Sequence, residues 1–517
     1  MRTVLVRMLA AVSAAAATAI VIAMAVPAPP RQAVMALTSA AAAAPAALPA
    51  TPRVGVQDGW IERPGTQGCD SNEENDLATP VPPPDYQTTI PTAVDDGSNW
   101  TDLNIRYVRI TVPWDIAYHH DHMLQVTKNG RSYPLDPNAI LQVEQDCLGF
   151  WLADINRANA RRAPGQAAIQ PEVQFRPDYN DLRMIKGRRR PVIMVPGITT
   201  YKKAMQAFFG SYSCAIPAGQ PEPTCPLPAG IPSSLGVTAM TRVSTITPWG
   251  EPDFYSQHPK QRFSGALNGQ FYMPSGTRRF DQTNCSTNVS TCGPALAAHM
   301  WLTAAALCHG CTVIAGTFGS NPAKTMAYLK VYARDLSGKH PAVWGIDPYI
   351  DIENYELACW GNHPPAVAKV GKYPKNPPAP RGPCTAPSKK STLIWKFSEA
   401  LGNLHYSSRT TRIWLGEISV FYIDSLAHKG KWYGFSVERQ AADYLLRQLA
   451  RPGASTPGGD PYVARFYYMR YEDGSGYPDF ALVLDNTRNT KTGPVAPHTE
   501  YRVPAYAAFR FRGSPQQ

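Results

Sequence analysis

Short apolar runs recur along the chain, and stretches with helical spacing or long polar loops separate one run from the next. Eight of these runs end at turn residues and most are rich in β-branched or aromatic side chains, which is typical of buried strands. We predict strands at residues 53–58, 107–114, 171–176, 242–247, 311–316, 342–347, 413–417 and 464–468.

Between these strands, apolar residues recur at three- and four-residue steps, which is the spacing of one face of a helix. The clearest predicted helices span residues 293–307, 325–336 and 437–449. Strands that alternate with helices form parallel βα units, so the pattern predicts the α/β class, and eight units suggest closure into a (β/α)8 TIM barrel. An open, doubly wound sheet is the alternative, but no glycine-rich turn follows the first strand.

The chain has 517 residues, whereas a bare barrel needs roughly 250. Long loop insertions at residues 59–100, 177–240 and 352–410 account for a large part of the difference. The first and the last follow strands directly, which predicts that they lie on the face where barrel enzymes select substrates. We find no internal repeat, so residues 51–517 are interpreted as a single domain.

Residues 1–50 have the composition of an export signal followed by a spacer. Arg2 and Arg7 precede an apolar, alanine-rich run, and an Ala/Pro-rich tract covers residues 36–50. We therefore predict a secreted protein with a cleaved signal peptide. The alternative is an uncleaved membrane anchor, because the apolar run is just long enough to cross a bilayer.

The cysteines agree with export, because the chain contains ten of them, an even number. Their spacing suggests local pairs, although sequence leaves the connectivity open. The suggested pairs are Cys214–Cys225, Cys285–Cys292, Cys308–Cys311 and Cys359–Cys384, with Cys69–Cys147 left over. Cys308 and Cys311 form a CxxC motif that ends a predicted helix instead of opening one, which favours a structural bridge over a redox site.

Charge and histidine content give no evidence for a nucleic-acid partner or a cofactor. The formal net charge of +11 is spread over a long chain, and it is equally compatible with acidic glycans or an anionic cell surface. The segment His119-His120-Asp121-His122 has metal-ligating residue types. Adjacent loop histidines do not share one ligand direction, and nothing else in the sequence completes a ligand set, so we predict no metal.

Two predicted strands end on a lone glutamate. Glu251 follows the fourth strand, between Trp249 and Pro252, and Glu417 ends the seventh. The C-terminal ends of barrel strands face the active site. A pair of glutamates at that face is what retaining glycoside hydrolysis needs, one as acid/base and one as nucleophile. Trp249 is a candidate apolar wall that keeps the Glu251 carboxyl protonated.

These segments resemble the motifs of clan A (β/α)8 glycoside hydrolases of the secreted bacterial type. Trp249-Gly250-Glu251-Pro252 is similar to their Trp-Asn-Glu-Pro signature, and Ile413-Trp414-Leu415-Gly416-Glu417 to their nucleophile strand. The resemblance implies a retaining enzyme that hydrolyses an oligo- or polysaccharide, and we expect a monomer. Gly250 stands where relatives have an asparagine that bonds the substrate 2-hydroxyl. A non-catalytic barrel that binds glycan or serves the cell envelope is therefore the alternative.

The resemblance also suggests roles for residues around the nucleophile. Arg109, inside the second strand, is the candidate for the arginine that steadies it, with a core salt bridge as the alternative. Asp347 and Tyr349 follow the sixth strand, where relatives have a histidine or tyrosine. Asp347 departs from the histidine, and Tyr349 is the candidate hydroxyl.

Three further residues at strand ends are candidates for substrate binding. Trp114 and Asp115 end the second strand, and Tyr468 ends the eighth. Aromatic rings at these positions can stack on sugar rings, although a packing role explains them as well.

Overall fold

The computed structural model describes part of the chain. The described residues are 53–60, 105–118, 125–128, 131–134, 137–162, 167–176, 182–185, 188–191, 193–214, 224–227, 238–253, 271–272, 292–319, 322–359, 384–420, 423–424, 431–432, 440–442, 444–445, 460, 462–469, 483–485 and 500–502. The chain divides into two units, Met1–Ala46 and Ala47–Gln517, and every described residue belongs to the second. The predicted leader, residues 1–50, and the histidine segment 119–122 lie outside the described residues.

The described residues form one main sheet of nine strands, paired in parallel. The strands are β1 (Arg53–Trp60), β2 (Tyr107–Pro113), β3 (Gln170–Arg176), β4 (Thr245–Thr247), β5 (Thr312–Val313), β6 (Ala315–Phe318), β7 (Val343–Ile346), β8 (Arg412–Ile418) and β9 (Val463–Met469). All eight predicted strands are present in this sheet, although the fourth is shorter than predicted. The α/β class with a parallel sheet is confirmed.

The order across the sheet is β5-β4-β3-β2-β1-β9-β8-β7-β6. Ile314 alone separates β5 from β6 in the chain, so the predicted fifth strand is one run interrupted at this residue. The N–H of Ile314 donates to the carbonyl of Ile246 in β4 at 2.9 Å. The strands at the two ends of the sheet order, β5 and β6, are therefore consecutive in the chain.

Six helices lie among the described residues. They are α1 (Pro137–Ala160), α2 (Ile198–Tyr212), α3 (Gly293–Leu307), α4 (Pro322–Asp335), α5 (Tyr349–Cys359) and α6 (Leu393–Asn403), and a short 3₁₀ helix covers Lys389–Ser391. The prediction for α3 is confirmed at both ends. The third predicted helix is only partly described, with helical residues at 440–442.

The prediction that residues 352–410 form one loop insertion is wrong. α5 begins directly after β7, and α6 precedes β8, so both ends of this segment are helical. The Pro- and Lys-rich composition of the middle of the segment obscured these two helices in the sequence. The side chain of Thr392 caps α6 by accepting a hydrogen bond from the N–H of Trp395 at 3.2 Å.

Short two-stranded sheets occupy the connections. The antiparallel pairs are Gln125–Lys128 with Arg131–Pro134, Leu182–Ile185 with Arg188–Pro191, Thr224–Pro226 with Ala239–Thr241, Ile423–Asp424 with Lys431–Trp432, and Val483–Asp485 with Glu500–Arg502. Ile193–Met194 pairs in parallel with Phe271–Tyr272.

Aromatic packing fixes the strand ends that carry polar side chains. Phe318 of β6 packs edge-on against Tyr332 of α4 and tilted against Phe397 of α6, with ring centroids 5.5 and 5.6 Å apart. On the other side, the hydroxyl of Tyr201 in α2 donates to the carbonyl of Pro248 at 2.7 Å. This buried hydrogen bond holds the turn that follows β4, just before Trp249.

Disulfides join three of the predicted cysteine pairs, namely Cys214–Cys225, Cys308–Cys311 and Cys359–Cys384. Cys292 is also disulfide-bonded, and its predicted partner Cys285 lies outside the described residues. The Cys308–Cys311 bridge follows α3 and precedes β5, as the structural interpretation of the CxxC motif requires. Within the described part of the chain, no helix is long and apolar enough to cross a membrane.

Candidate active site

Charged side chains converge at the C-terminal ends of the parallel strands. Glu417 comes from β8, Glu251 from the turn after β4, Asp347 from the end of β7, and Arg176 from the end of β3. All four are buried, with exposed fractions between 0% and 7%. Buried charges are unfavourable unless they are paired, so this grouping indicates a functional site.

Both carboxylate oxygens of Glu417 accept hydrogen bonds. Oε1 accepts from Nη2 of Arg176 at 2.6 Å and from Nε2 of Gln174 at 3.2 Å. Oε2 accepts from the hydroxyl of Tyr349 at 3.1 Å. Burial and the carboxylates of Glu417 and Asp347 raise the pKa of Tyr349 well above its ordinary value, which keeps the hydroxyl protonated as a donor. The Glu417 carboxylate is therefore fixed in one orientation.

Strand β3 supplies three polar side chains that the sequence analysis did not select. Glu172, Gln174 and Arg176 alternate along β3 and share one face of the sheet. Arg176 makes the shortest contact with Glu417, whereas Arg109 lies 4.0 Å from the same oxygen. The signal was visible in the period-two pattern of polar residues within an apolar strand.

Arg109 is paired mainly with Glu172. Its Nε and Nη2 each lie 2.8 Å from Glu172 Oε1, and both side chains are fully buried. Thr247 of β4 also donates to this oxygen, at 2.9 Å. Gly416 makes room for the pair, because a Cβ there would lie 2.5 Å from both Nη1 and Nη2 of Arg109. Arg109 thus links β2 to β3 while it faces Glu417.

Glu251 adopts an unusual backbone conformation, with a φ of 43°. This left-handed region is disfavoured for a residue with a Cβ. Its N–H donates to Oγ1 of Thr317 at 3.0 Å, which helps to hold the conformation. Its Oε2 lies 3.8 Å from Nη2 of Arg176, so one guanidinium faces both Glu251 and Glu417.

Asp253 fixes the loop beyond Glu251. Its Oδ1 accepts from the N–H of Gly319 at 2.9 Å, and its Oδ2 accepts from the hydroxyl of Thr325 at 2.6 Å. These bonds tie the turn after β4 to the start of α4, so Glu251 is held on both sides.

Asp347 is the third carboxyl group of the site. It is fully buried, and neither of its oxygens has a hydrogen-bond partner among the described residues. Burial raises the pKa of Asp347 well above its ordinary value, and the carboxylates of Glu417 and Glu251 raise it further, although Arg109 acts in the opposite direction. The buried site therefore favours the neutral, protonated form of Asp347.

The three carboxyl groups are close enough to share a cation. Oxygens of Glu251, Asp347 and Glu417 all lie within 4.8 Å of one another. Two positive charges already lie beside these groups. Arg176 is 2.6 Å from Glu417, and Arg109 is 3.8 Å from Asp347. A divalent cation would be repelled by both guanidinium groups, so the charge distribution favours proton chemistry.

The aromatic candidates at the strand ends are buried. Trp114 and Tyr468, predicted to stack on sugar rings, are 2% exposed and fully buried, and Trp249, predicted as the wall beside Glu251, is 2% exposed. The hydroxyl of Tyr468 accepts from the N–H of Val420 at 3.3 Å, which joins the ends of β9 and β8. Asp115 is 7% exposed at the end of β2. Burial favours the packing role for these three rings.

No family model matches this sequence, and no curated protein matches it. Similar solved structures include a family 39 glycoside hydrolase from Bacteroides cellulosilyticus WH2, with 11% identity and a TM-score of 0.40 over 90% of this chain and 64% of that chain. A GH51 arabinofuranosidase from Xanthomonas axonopodis pv. citri has 10% identity and a TM-score of 0.41 over 89% and 74% of the two chains. A GH5-4 endoglucanase from Clostridium acetobutylicum has 10% identity and a TM-score of 0.39 over 83% and 91%.

This chain thus spans slightly less than two thirds of the family 39 chain. All three similar structures are named as glycoside hydrolases. Identities and TM-scores this low establish no family, so the function is argued below from the geometry of the site.

Proposed function

We propose that the protein is a retaining glycoside hydrolase in which Glu417 is the nucleophile and Glu251 the acid/base. One observation carries the proposal: carboxylate oxygens of these two residues lie within 4.8 Å of each other. Retaining enzymes place the two carboxyl groups about 5–5.5 Å apart, whereas inverting enzymes leave about 6.5–9.5 Å for a water molecule.

The surroundings of the two glutamates suit these different roles. Glu417 accepts three hydrogen bonds, which hold its carboxylate in one orientation, as a nucleophile requires. Glu251 faces the same guanidinium from further away, with its Oε2 3.8 Å from Nη2 of Arg176.

The reaction then proceeds in two displacements. Glu417 attacks the anomeric carbon while Glu251 gives its proton to the departing glycosidic oxygen, which leaves a glycosyl ester on Glu417. Glu251, now ionised, takes a proton from a water molecule that attacks the same carbon and releases Glu417. No cofactor takes part in this proposal.

We further propose that β5 and β6 close the sheet into a (β/α)8 barrel. The sheet order ends on these two strands, and Ile314 joins them directly. We also propose a secreted monomer that acts on an oligo- or polysaccharide. The disulfides support an oxidising compartment, since cytosolic thiols stay reduced.

Leaving-group dependence tests the proposed roles. Glu251→Ala should slow hydrolysis most for substrates with a poor leaving group, because activated aryl glycosides need little protonation. Azide should partly restore turnover of activated substrates, since this anion attacks the glycosyl ester without a general base. A non-catalytic glycan-binding protein would turn over no glycoside. Equal losses on good and poor leaving groups, without azide rescue, would exclude Glu251 as the acid/base.

A further inference from the structure

The carboxamide of Gln174 occupies the space where a side chain at position 250 would lie. A Cβ built on Gly250 would be 2.3 Å from Nε2 and 2.8 Å from Cδ of Gln174. Gln174 comes from β3 and is fully buried. The two positions are held together by the N–H of Gly250, which donates to the carbonyl of Phe175 at 2.8 Å.

Position 250 is a glycine because a side chain there would have no space, and not because of its backbone conformation. In the described part of the chain, the glycines with a left-handed φ are Gly310, Gly316 and Gly338, and Gly250 is not one of them. An L-residue could adopt its backbone, but its side chain would collide with the Gln174 carboxamide. The small residue at 250 and the long residue at 174 therefore form one complementary pair.

The Gln174 carboxamide has an unused acceptor. Nε2 donates to Glu417 Oε1 at 3.2 Å. A carboxylate only accepts, so the amide nitrogen must face Glu417 and the amide oxygen points elsewhere. Gln174 Oε1 is buried and has no hydrogen-bond partner among the described residues. Buried acceptors are nearly always paired, so an unpaired one beside the reacting groups indicates a ligand donor.

The position of Gln174 identifies that donor. In a glycosyl ester on Glu417, the anomeric carbon is bonded to the ring oxygen and to C2. The hydroxyl on C2 is thus the sugar donor nearest to the Glu417 carboxylate. Resting on the proposed function, we propose that Gln174 Oε1 accepts the hydrogen bond of the substrate 2-hydroxyl, and that Gly250 is kept small to admit the carboxamide. Preferred substrates are glycosides with a free 2-hydroxyl, because a bulkier 2-acetamido group would displace the carboxamide.

Matched substrates with and without the 2-hydroxyl test this role. Gln174→Met keeps the length of the side chain and removes its polar atoms. It should lower kcat/KM for an aryl glycoside about 10- to 100-fold more than for the corresponding 2-deoxyglycoside. The two substrates differ in intrinsic reactivity, so the ratio of variant to wild type is taken for each substrate separately, which removes this difference. An equal loss on both substrates would overturn the proposal and leave Gln174 as a residue that only orients Glu417.

A swap of the two positions gives a second, independent test. Gly250→Asn alone should lose activity because its side chain meets Gln174, and Gln174→Ala alone should lose the acceptor. The double variant restores an amide in an emptied space, so it should be more active than either single variant on the 2-hydroxy substrate. Losses that simply multiply would contradict the pairing of these positions. Gly210→Ala is the matched control, since nothing lies within 4 Å of a Cβ there.

Binding separates failure of this inference from failure of the proposed function. Calorimetry with a free monosaccharide and its 2-deoxy form needs no turnover. A preference for the hydroxyl that disappears in Gln174→Met supports the inference even if no glycoside is cleaved. Turnover without any such preference, in rates or in binding, would leave the proposed function standing and exclude Gln174 as the 2-hydroxyl acceptor.

Discussion

Nη2 of Arg176 lies 2.6 Å from Oε1 of Glu417, and the two side chains are 2% and 3% exposed. The same nitrogen lies 3.8 Å from Oε2 of Glu251. A single guanidinium therefore faces both proposed catalytic groups. Arg109, the residue selected from the sequence, lies 4.0 Å from the same Glu417 oxygen and pairs mainly with Glu172.

Substitution of Arg176 should mainly lower activity, whereas substitution of Arg109 should mainly lower stability. Arg176→Met should lower kcat about 100-fold or more, because Glu417 loses its orienting charge, while the fold is retained. Arg109→Met removes the buried charge that pairs with Glu172, which should lower the free energy of unfolding by about 3–5 kcal/mol. Kinetics and chemical denaturation measure the two effects. Arg334→Ala, at an exposed pair with Asp335, is the control that should change neither.

The left-handed backbone at Glu251 predicts that a glycine variant is more stable than an alanine variant, the reverse of the usual order. At a φ of 43°, glycine fits better than alanine, so Glu251→Gly should be more stable than Glu251→Ala by about 1 kcal/mol. Both variants lose the acid/base. Denaturant titration of the two variants checks the difference. A more stable alanine variant would contradict the left-handed backbone conformation of Glu251.

Asp351 should make stability depend on pH. It is buried in α5 and accepts from the N–H groups of Leu393 and Ile394 at 2.6 and 3.1 Å. Burial raises its pKa to about 7 despite these bonds. A carboxyl group with a raised pKa in the folded state stabilises at low pH, and this contribution is lost as pH rises from about 4 through 7.

The comparison variant is Asp351→Asn, which does not titrate. Unfolding free energies measured between pH 4 and pH 8 should show the wild type losing stability relative to this variant as pH rises. A constant difference across that range would mean that Asp351 is not shifted by burial.

Removal of divalent cations should leave activity unchanged. The three clustered carboxyl groups face two guanidinium groups, which provide the positive charge that a metal would otherwise supply. Prolonged dialysis against a chelator, followed by assay with and without added Mg²⁺, Ca²⁺ or Zn²⁺, measures this directly. Loss of activity that one of these ions restores would assign a metal to Glu251, Asp347 and Glu417.

The strand pattern predicted the parallel sheet because strands of such sheets are usually buried on both faces and read as apolar runs. Glu251 and Glu417 were visible as lone charges at strand ends. Gln174 and Arg176 were overlooked because their strand was judged by its apolar residues alone. The fit of Gln174 against Gly250 joins positions on different strands, and no local pattern encodes such a contact.

Covalent trapping of Glu417 tests the central proposal most directly. The protein would be incubated with a panel of activated 2-deoxy-2-fluoroglycosides, which form the glycosyl ester faster than they release it. Mass analysis of the intact protein and of its peptides should show one added sugar, attached at Glu417, and Glu417→Gln should remain unlabelled. A substrate that is turned over without any trapped sugar, or a label on another residue, would contradict Glu417 as the nucleophile.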